Sequence, residues 1–114
     1  MTSGSYETLV DACDTAADAC DRCVSACLLE PAVAERTRCI ALSLESAQLC
    51  RLLAGFAVRG STFTPSLARA CLELCAACAE ECGRHEAAHC VQCAEAARAA
   101  ADACHRMLEI HAAA

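Results

Sequence analysis

Residues 64–93 read TPSLARACLELCAACAEECGRHEAAHCVQC, and they predict a helix, a short turn and the start of another helix. Thr64 followed by Pro65 is typical of a helix start, with Thr64 as the N-cap and Pro65 at the first helical position. This helix is expected to close at Gly83, because glycine is common at helix ends. A further helix is expected over residues 85–111, so this stretch forms one helical hairpin.

Proline and glycine signals also divide the preceding residues into two more helices. One is expected over residues 5–29 and ends before Pro31, because proline cannot continue a helix. The next is expected over residues 31–58 and stops at Gly60. Four long helices with short connections predict an all-α fold, an antiparallel up-down-up-down four-helix bundle. At 114 residues, the chain is expected to form a single domain over 1–114.

The cysteines of this chain are predicted to face the inside of the bundle. There are thirteen of them in 114 residues, whereas the chain has two Phe, one Tyr and no Trp. In a heptad register all thirteen fit the a and d positions, where a bundle normally carries Leu, Ile or Val. We therefore expect a core lined with sulfur. The cysteines are Cys13, Cys20, Cys23, Cys27, Cys39, Cys50, Cys71, Cys75, Cys78, Cys82, Cys90, Cys93 and Cys104.

Charge and composition exclude several classes of partner and indicate a compartment. The net charge of −6 and pI near 5.1 argue against nucleic acid and anionic membranes. Glu45, Arg51 and Arg59 interrupt the most apolar segment, so no membrane span is expected. The first residues, MTSGSYE, lack the features of a signal peptide, which predicts a cytoplasmic protein with reduced thiols. An exported precursor whose signal has been removed stays open as an alternative.

Metal binding explains the cysteine pattern better than disulfides or simple packing do. An odd number of thiols cannot all pair within the chain, and pairs three or four residues apart on one helix do not suit disulfide geometry. Soft thiolates select Cu(I), Zn(II) or iron–sulfur clusters. Pairs such as Cys23/Cys27, Cys71/Cys75 and Cys78/Cys82 place two sulfurs one turn apart on the same face, so one ion can bridge each pair.

Among these metals, Cu(I) is favoured by charge and by coordination number. Thirteen buried thiolates would be too costly, so the metal-free thiols are expected to be neutral at pH 7. Each Cu(I) that displaces one proton leaves the charge of the core unchanged, whereas one Zn(II) per thiol would not. The sequence thus predicts storage of multiple Cu(I) ions per chain. Zinc or cadmium sequestration and a thiol redox buffer remain alternatives, and no catalytic constellation is found, so no enzyme is predicted.

The pattern of cysteines and histidines resembles that of the bacterial four-helix-bundle copper storage proteins. The similarity is most specific in Cys71-x-x-x-Cys75-x-x-Cys78-x-x-x-Cys82-x-x-His85-x-x-x-His89-Cys90-x-x-Cys93. The resemblance implies a tetramer of bundles, each of which holds many Cu(I) ions through core thiolates. This chain is more similar to the cytosolic members of the family, which lack a twin-arginine signal. The chain departs from them in having fewer cysteines, notably along helix two and late in helix four.

The predicted topology also assigns roles to the two ends of the bundle. His85 and His89 should lie at one end with Cys27, Cys82 and Cys90, and we expect copper to enter there, with both histidines as candidate ligands beside the thirteen cysteines. The other end should be closed by an apolar plug. Its expected members are Tyr6, Leu53, Phe56, Phe63 and Met107, while His105 and His111 are expected to face solvent or to pack.

An apolar stripe on helix two is predicted to be a surface for self-association. Leu42, Leu49 and Phe56 recur every seven residues, with Leu52 and Ile40 nearby. This stripe lies off the cysteine positions, so it should be exposed on a monomer. Long apolar stripes on soluble proteins usually mark partner surfaces, and we therefore expect a homo-oligomer that is built through helix two.

Overall fold

The structure, a computed structural model, describes residues 3–113 and the side chains of residues 6–113. It contains four α-helices and one short 3-10 helix. The α-helices are α1 (Ser3–Leu28), α2 (Thr37–Val58), α3 (Thr64–Cys82) and α4 (Ala88–Ala113), and the 3-10 helix is Val33–Arg36. The described part of the chain contains no strand, so the predicted all-α class is confirmed.

The four helices form an elongated antiparallel bundle of 49 × 20 × 19 Å. Each helix packs against its neighbours in sequence, and α1 also packs against α4, which closes the ring. Short connections require this up-down-up-down arrangement, because a long crossover would be needed to join parallel neighbours. The ends of α1 and α3 therefore meet the starts of α2 and α4 at one end of the bundle, which we call the histidine end.

Two helix boundaries differ from the sequence expectation. The segment after Pro31 is not yet α-helix, because a 3-10 helix over Val33–Arg36 precedes Thr37. Helix α4 begins at Ala88 and not at residue 85, so His85 lies in the connection between α3 and α4. Both differences fall within one turn of a helix end. At helix ends, local packing readily outweighs the intrinsic helix propensity of a few residues.

The turn between α2 and α3 confirms one predicted cap and corrects another. Gly60 adopts a left-handed φ of +67°, and the amide of Ser61 donates to the carbonyl of Phe56 at 3.0 Å, which closes α2 as predicted. Thr64 does not act as the N-cap of α3. Its hydroxyl donates to the carbonyl of Ser61 at 2.7 Å, and Phe63 occupies the N-cap position.

Helix α2 is strongly apolar although it contains the charged residues Glu45 and Arg51. The segment Val33–Val58 is long and apolar enough to cross a membrane by length and composition alone, with a mean hydropathy of 1.3. The charged residues Glu45 and Arg51 therefore do not bring this segment below that level. In the bundle, α2 packs between α1 and α3 and buries nine residues. Such burial accounts for the hydropathy, since a helix with two packed neighbours needs a wide apolar face.

The apolar stripe on α2 is less exposed than predicted. Leu42 is only 9% exposed, and Ile40, Leu49 and Phe56 are half-buried, while Leu52 is 49% exposed. The heptad register placed this stripe off the core. However, the flanks of α2 rest against α1 and α3, so residues beside the a and d positions are also covered.

Candidate metal centre

All thirteen cysteine side chains lie inside the bundle. Each has 0% exposure and each is a free thiol, so the predicted orientation is confirmed. Helices α1 and α3 contribute four cysteines each, α4 contributes three and α2 contributes two. The a and d positions of a bundle point to its axis, and the replacement of the usual large aliphatic residues by cysteine therefore places sulfur along that axis.

Eight of these thiols form a connected group toward the histidine end, which we call the histidine-end cluster. Its shortest contact joins the sulfurs of Cys39 and Cys82 at 2.9 Å, and Cys93 lies 3.5 Å from Cys20. Cys27 and Cys90 are 3.9 Å apart at the end of the cluster. The members are Cys20, Cys23, Cys27, Cys39, Cys78, Cys82, Cys90 and Cys93.

The other five thiols form a second group, the plug-end cluster. The sulfur of Cys50 lies 3.7 Å from that of Cys71 and 3.6 Å from that of Cys75. Cys13 lies close enough to Cys50 and Cys71 for the three sulfurs to share one metal ion. Cys104 is assigned to this cluster because Cys13 and Cys71 are the main causes of the lowered pKa of its thiol.

The pairs that are four residues apart on one helix have the expected geometry. Their sulfur–sulfur distances are 3.8 Å for Cys23 and Cys27, 3.7 Å for Cys71 and Cys75, and 3.9 Å for Cys78 and Cys82. At such separations one ion can bind both sulfurs without a change of backbone. Contacts between helices join these pairs to one another, so each sulfur is in reach of more than one ion.

Hydrogen bonds between thiols shift their acidities in opposite directions. The pKa of Cys93 is lowered, mainly because Cys20 hydrogen-bonds to its thiolate, and the pKa of Cys39 is lowered mainly by Cys23. A hydrogen bond with Cys50 raises the pKa of Cys75 to about 12, and burial raises that of Cys90 to about 12. Cys39 and Cys93, whose pKa is lowered, therefore give up a proton to an arriving cation more easily than Cys75 and Cys90 do.

Two buried serines on α2 stand among the thiols. The hydroxyl oxygen of Ser43 lies 3.4 Å from the sulfur of Cys93, 3.5 Å from Cys82 and 3.8 Å from Cys78. Ser46 is also fully buried, and its hydroxyl oxygen makes no hydrogen bond within the described part of the structure. Neither serine was among the predicted site residues, although their spacing from Cys39 and Cys50 places them on the inward face.

His85 lies at the histidine end, as predicted, but its two ring nitrogens are engaged. An Nη1 donor of Arg36 lies 2.7 Å from Nδ1, and Nε2 lies 3.1 Å from Oε2 of Glu81. Because the guanidinium can only donate, Nδ1 accepts and the neutral ring donates through Nε2 to the carboxylate. The structure does not bring His85 into a group of ligands with the cysteines, so its role as a ligand stays a prediction.

His89 is placed differently and lies beside the outermost thiols of the histidine-end cluster. We call the polar group that His85, His89 and Glu30 form there the mouth of the core. Its Nε2 lies 2.7 Å from Oε1 of Glu30, and both side chains lie close enough to the sulfur of Cys27 for the three to share one ion. The second carboxylate oxygen of Glu30 accepts a hydrogen bond from Arg36 at 2.8 Å. Glu30 was missed by sequence reasoning, although its position beside Pro31 at the end of α1 places it at this end.

The opposite end is closed by apolar side chains, with one correction to the predicted plug. Leu53 and Met107 are buried and Tyr6 and Phe56 are half-buried, as expected for a plug. Phe63 does not belong to it, because it sits in the turn before α3 and is 66% exposed. A fully buried Leu9 takes a place in the plug. His105 and His111 are exposed.

Comparisons with known proteins place this chain beside proteins that bind copper. Residues 2–109 match the family model described as copper storage protein. An uncharacterized cysteine-rich protein of Bacillus subtilis, YhjQ, is 34% identical over 101 residues, which cover 89% of this chain and 94% of that protein.

Solved structures of similar proteins agree with this match. A cytosolic copper storage protein from Streptomyces lividans, with five coppers, has a TM-score of 0.90 and 36% identity, with 93% of each chain covered. The Cu(I)-bound copper storage protein BsCsp3 has a TM-score of 0.88 and 33% identity, with 91% of this chain and 98% of that chain covered.

Proposed function

Since the chain belongs to the copper storage protein family, we propose that it stores multiple Cu(I) ions in the core of its four-helix bundle. The observation that carries this function is the set of thirteen fully buried free thiols, which form groups of three or four sulfurs in reach of a shared ion. Thiolates are the ligands that Cu(I) prefers, and a closed-shell monovalent ion accepts the two or three neighbours that each position offers.

The ligands that we propose are the thirteen cysteines, with His89 and His85 at the mouth. Support for His89 comes from its position, since it shares a candidate site with Cys27 and Glu30. A ligand role for His85 is supported by its position at the same end of the bundle as His89. Its ring can release its hydrogen bonds with Arg36 and Glu81 and turn toward an arriving ion. Copper enters at this end, because fully buried Leu9 and Leu53 close the other.

Storage at this site needs no catalysis, and we propose that the protein is not an enzyme. Copper is the cargo of the core, and a bound ion is exchanged between thiols without a change of oxidation state. The cytoplasm is the proposed location. This location is supported by the similar copper storage protein from Streptomyces lividans, which is described as cytosolic.

We further propose that the bundle assembles into a homotetramer through the outer face of α2. Leu44 and Leu52 are 45% and 49% exposed on α2, and the half-buried side chains of Ile40, Leu49 and Phe56 lie on its flanks. An apolar surface on this scale is typical of a contact between copies.

An anaerobic titration tests the storage function. The fully reduced protein is titrated with Cu(I) against a chromophoric chelator of known affinity, and a parallel titration uses Zn(II). We expect tight uptake of several Cu(I) ions per chain and no comparable uptake of Zn(II), because divalent ions would leave the core strongly charged. Saturation at one or two Cu(I) ions would contradict storage. Reversible disulfide formation without metal retention would indicate a redox role for the thiols.

A further inference from the structure

The column of sulfur in the core is interrupted at one level of the bundle. On α1, Ala16 lies between Cys13 and Cys20, and on α4, Ala97 lies between Cys93 and Cys104. The two alanines and the flanking cysteines all have 0% exposure. Ala16 and Ala97 therefore occupy inward positions where a cysteine could have served as a ligand.

On α2 the same level is occupied by Ser46. It lies three residues after Ser43, which contacts the histidine-end cluster, and four residues before Cys50, which belongs to the plug-end cluster. Its hydroxyl is fully buried and has no hydrogen-bond partner among the described residues. A buried hydroxyl without a partner is costly, and an oxygen at this place offers Cu(I) a much poorer ligand than sulfur.

Only α3 carries sulfur through this level. Cys75 contacts Cys50 and Cys71 of the plug-end cluster at 3.6 and 3.7 Å, and Cys78 of the histidine-end cluster is three residues further along the helix. Within residues 6–113, none of the sulfur–sulfur hydrogen bonds joins the two clusters, and no candidate metal group combines ligands from both.

We propose that the plug-end cluster is a separate Cu(I) site, which fills from the histidine-end cluster by transfer through Cys75. This inference rests on the proposed storage function. The site consists of five thiols, and the buried plug formed by Leu9, Leu53 and Met107 blocks a direct approach from its own end of the bundle. Copper therefore crosses the level of Ala16, Ser46 and Ala97 on the single sulfur available there.

Each transfer step is a ligand exchange that balances in charge. A Cu–S bond forms to the receiving sulfur while one breaks at the sulfur that gives up the ion. The proton displaced from the receiving thiol passes to the donor sulfur, and copper remains Cu(I). A step of this kind is fast between sulfurs in contact and slow where the described structure shows no sulfur–sulfur contact, as between Cys78 and Cys75.

Anaerobic stopped-flow loading tests this separation. The reduced protein is mixed with excess Cu(I), supplied as its bicinchoninate complex, and the loss of the complex is followed by its colour. We expect two phases with amplitudes near eight to five, the numbers of thiols in the two clusters. A single phase at full uptake would overturn the separation and leave the storage function intact, whereas the absence of uptake would overturn the storage function itself.

Two matched variants on α2 test the route. Ser46→Cys adds a sulfur at the interrupted level, and we expect its slow phase to be about tenfold faster, equal to about 1.4 kcal/mol in barrier height. Ser43→Cys adds a buried sulfur inside the histidine-end cluster and should leave the rate of the slow phase unchanged. Equal slow phases in both variants and the parent protein would overturn the proposal. Cys75→Ala should slow the second phase, and an unchanged rate would also overturn it.

Discussion

At the scale of single residues, the histidine end places a buried cysteine beside a group of hydrogen-bonded polar side chains. Cys27 belongs to the sulfur core, and His89 and Glu30 stand beside it. Arg36 holds the carboxylate of Glu30 and the ring of His85 at the same time, so the polar side chains at the mouth are ordered before any ion arrives. Such ordering favours rapid capture, because fewer side chains must be immobilised on binding.

The mouth can be tested by removal of its histidines. We expect the double variant His85→Ala/His89→Ala to take up Cu(I) several-fold more slowly from a chelator, with the number of ions bound reduced by no more than the ligands removed. The reason is that the thiols of the core remain while the polar ligands at its mouth are lost. Stopped-flow loading measures the rate, and equilibrium titration measures the capacity.

The matched control is His105→Ala/His111→Ala, which removes two exposed histidines near the other end. It should load at the rate of the parent protein. Equal loading rates in both double variants would contradict a role of the mouth in copper uptake.

At the scale of elements, one glycine inside helix α2 and one just after it have opposite conformational requirements. Gly60 follows the helix with a φ of +67°, a conformation that costs other residues about 1 kcal/mol or more. Gly55 lies inside the helix, where glycine is less favourable than alanine by about 0.5–1 kcal/mol. A Cβ at Gly55 would meet only the flexible end of Arg59, at 3.3 Å.

Substitution of each glycine by alanine should therefore change stability with opposite signs. We expect Gly60→Ala to lower the free energy of unfolding by about 1 kcal/mol and Gly55→Ala to raise it by a few tenths to about 1 kcal/mol. Chemical denaturation of the reduced protein measures both. A loss of stability in Gly55→Ala equal to that in Gly60→Ala would show that the interior of α2 does not tolerate the added methyl group.

The proposed contact through the outer face of α2 leads to a prediction about the assembly state. Leu52→Glu should shift the assembly toward monomers, because the charge would be desolvated in a contact between copies. Val91→Glu on α4 is the matched control, since Val91 is 40% exposed on another helix. Sedimentation velocity measures the assembly state. A tetramer that persists in Leu52→Glu but not in Val91→Glu would move the interface from α2 to α4.

At the scale of the whole molecule, the buried thiols connect stability to pH. Cys75 and Cys90 each have a folded pKa of about 12 against an ordinary value of 9.0. A raised folded pKa contributes stability that is fully present below pH 9, where both states are protonated. Between about pH 9 and 12 only the unfolded chain loses these protons, so this contribution is lost as the pH rises.

We therefore expect the free energy of unfolding of the reduced, metal-free protein to fall from pH 9 upward, by up to about 1.4 kcal/mol per pH unit for each such thiol. Denaturation under anaerobic conditions between pH 8 and 11 measures this dependence. The variant Cys75→Ser removes one titrating group and should show a shallower fall. Stability that is constant or increases above pH 9 would contradict this account.

Sequence alone determined the class of fold, the inward direction of every cysteine and the pairing of thiols one turn apart. These are consequences of helical periodicity, because residues three, four and seven apart share a face whatever surrounds them. The family resemblance and the preference of Cu(I) for thiolates added the metal. Local signals near Pro31, Gly60 and Thr64 predicted the connections to within one turn.

Only the tertiary structure decided what happens between helices. The half-burial of the α2 stripe, the exposure of Phe63 and the partners of His85 depend on how neighbouring helices pack, which no single-helix period encodes. The place of Glu30 beside His89 joins residues 59 positions apart. The division of the sulfur into two clusters likewise appears only when Ala16, Ser46 and Ala97 are brought to one level, because each is an ordinary inward residue on its own helix.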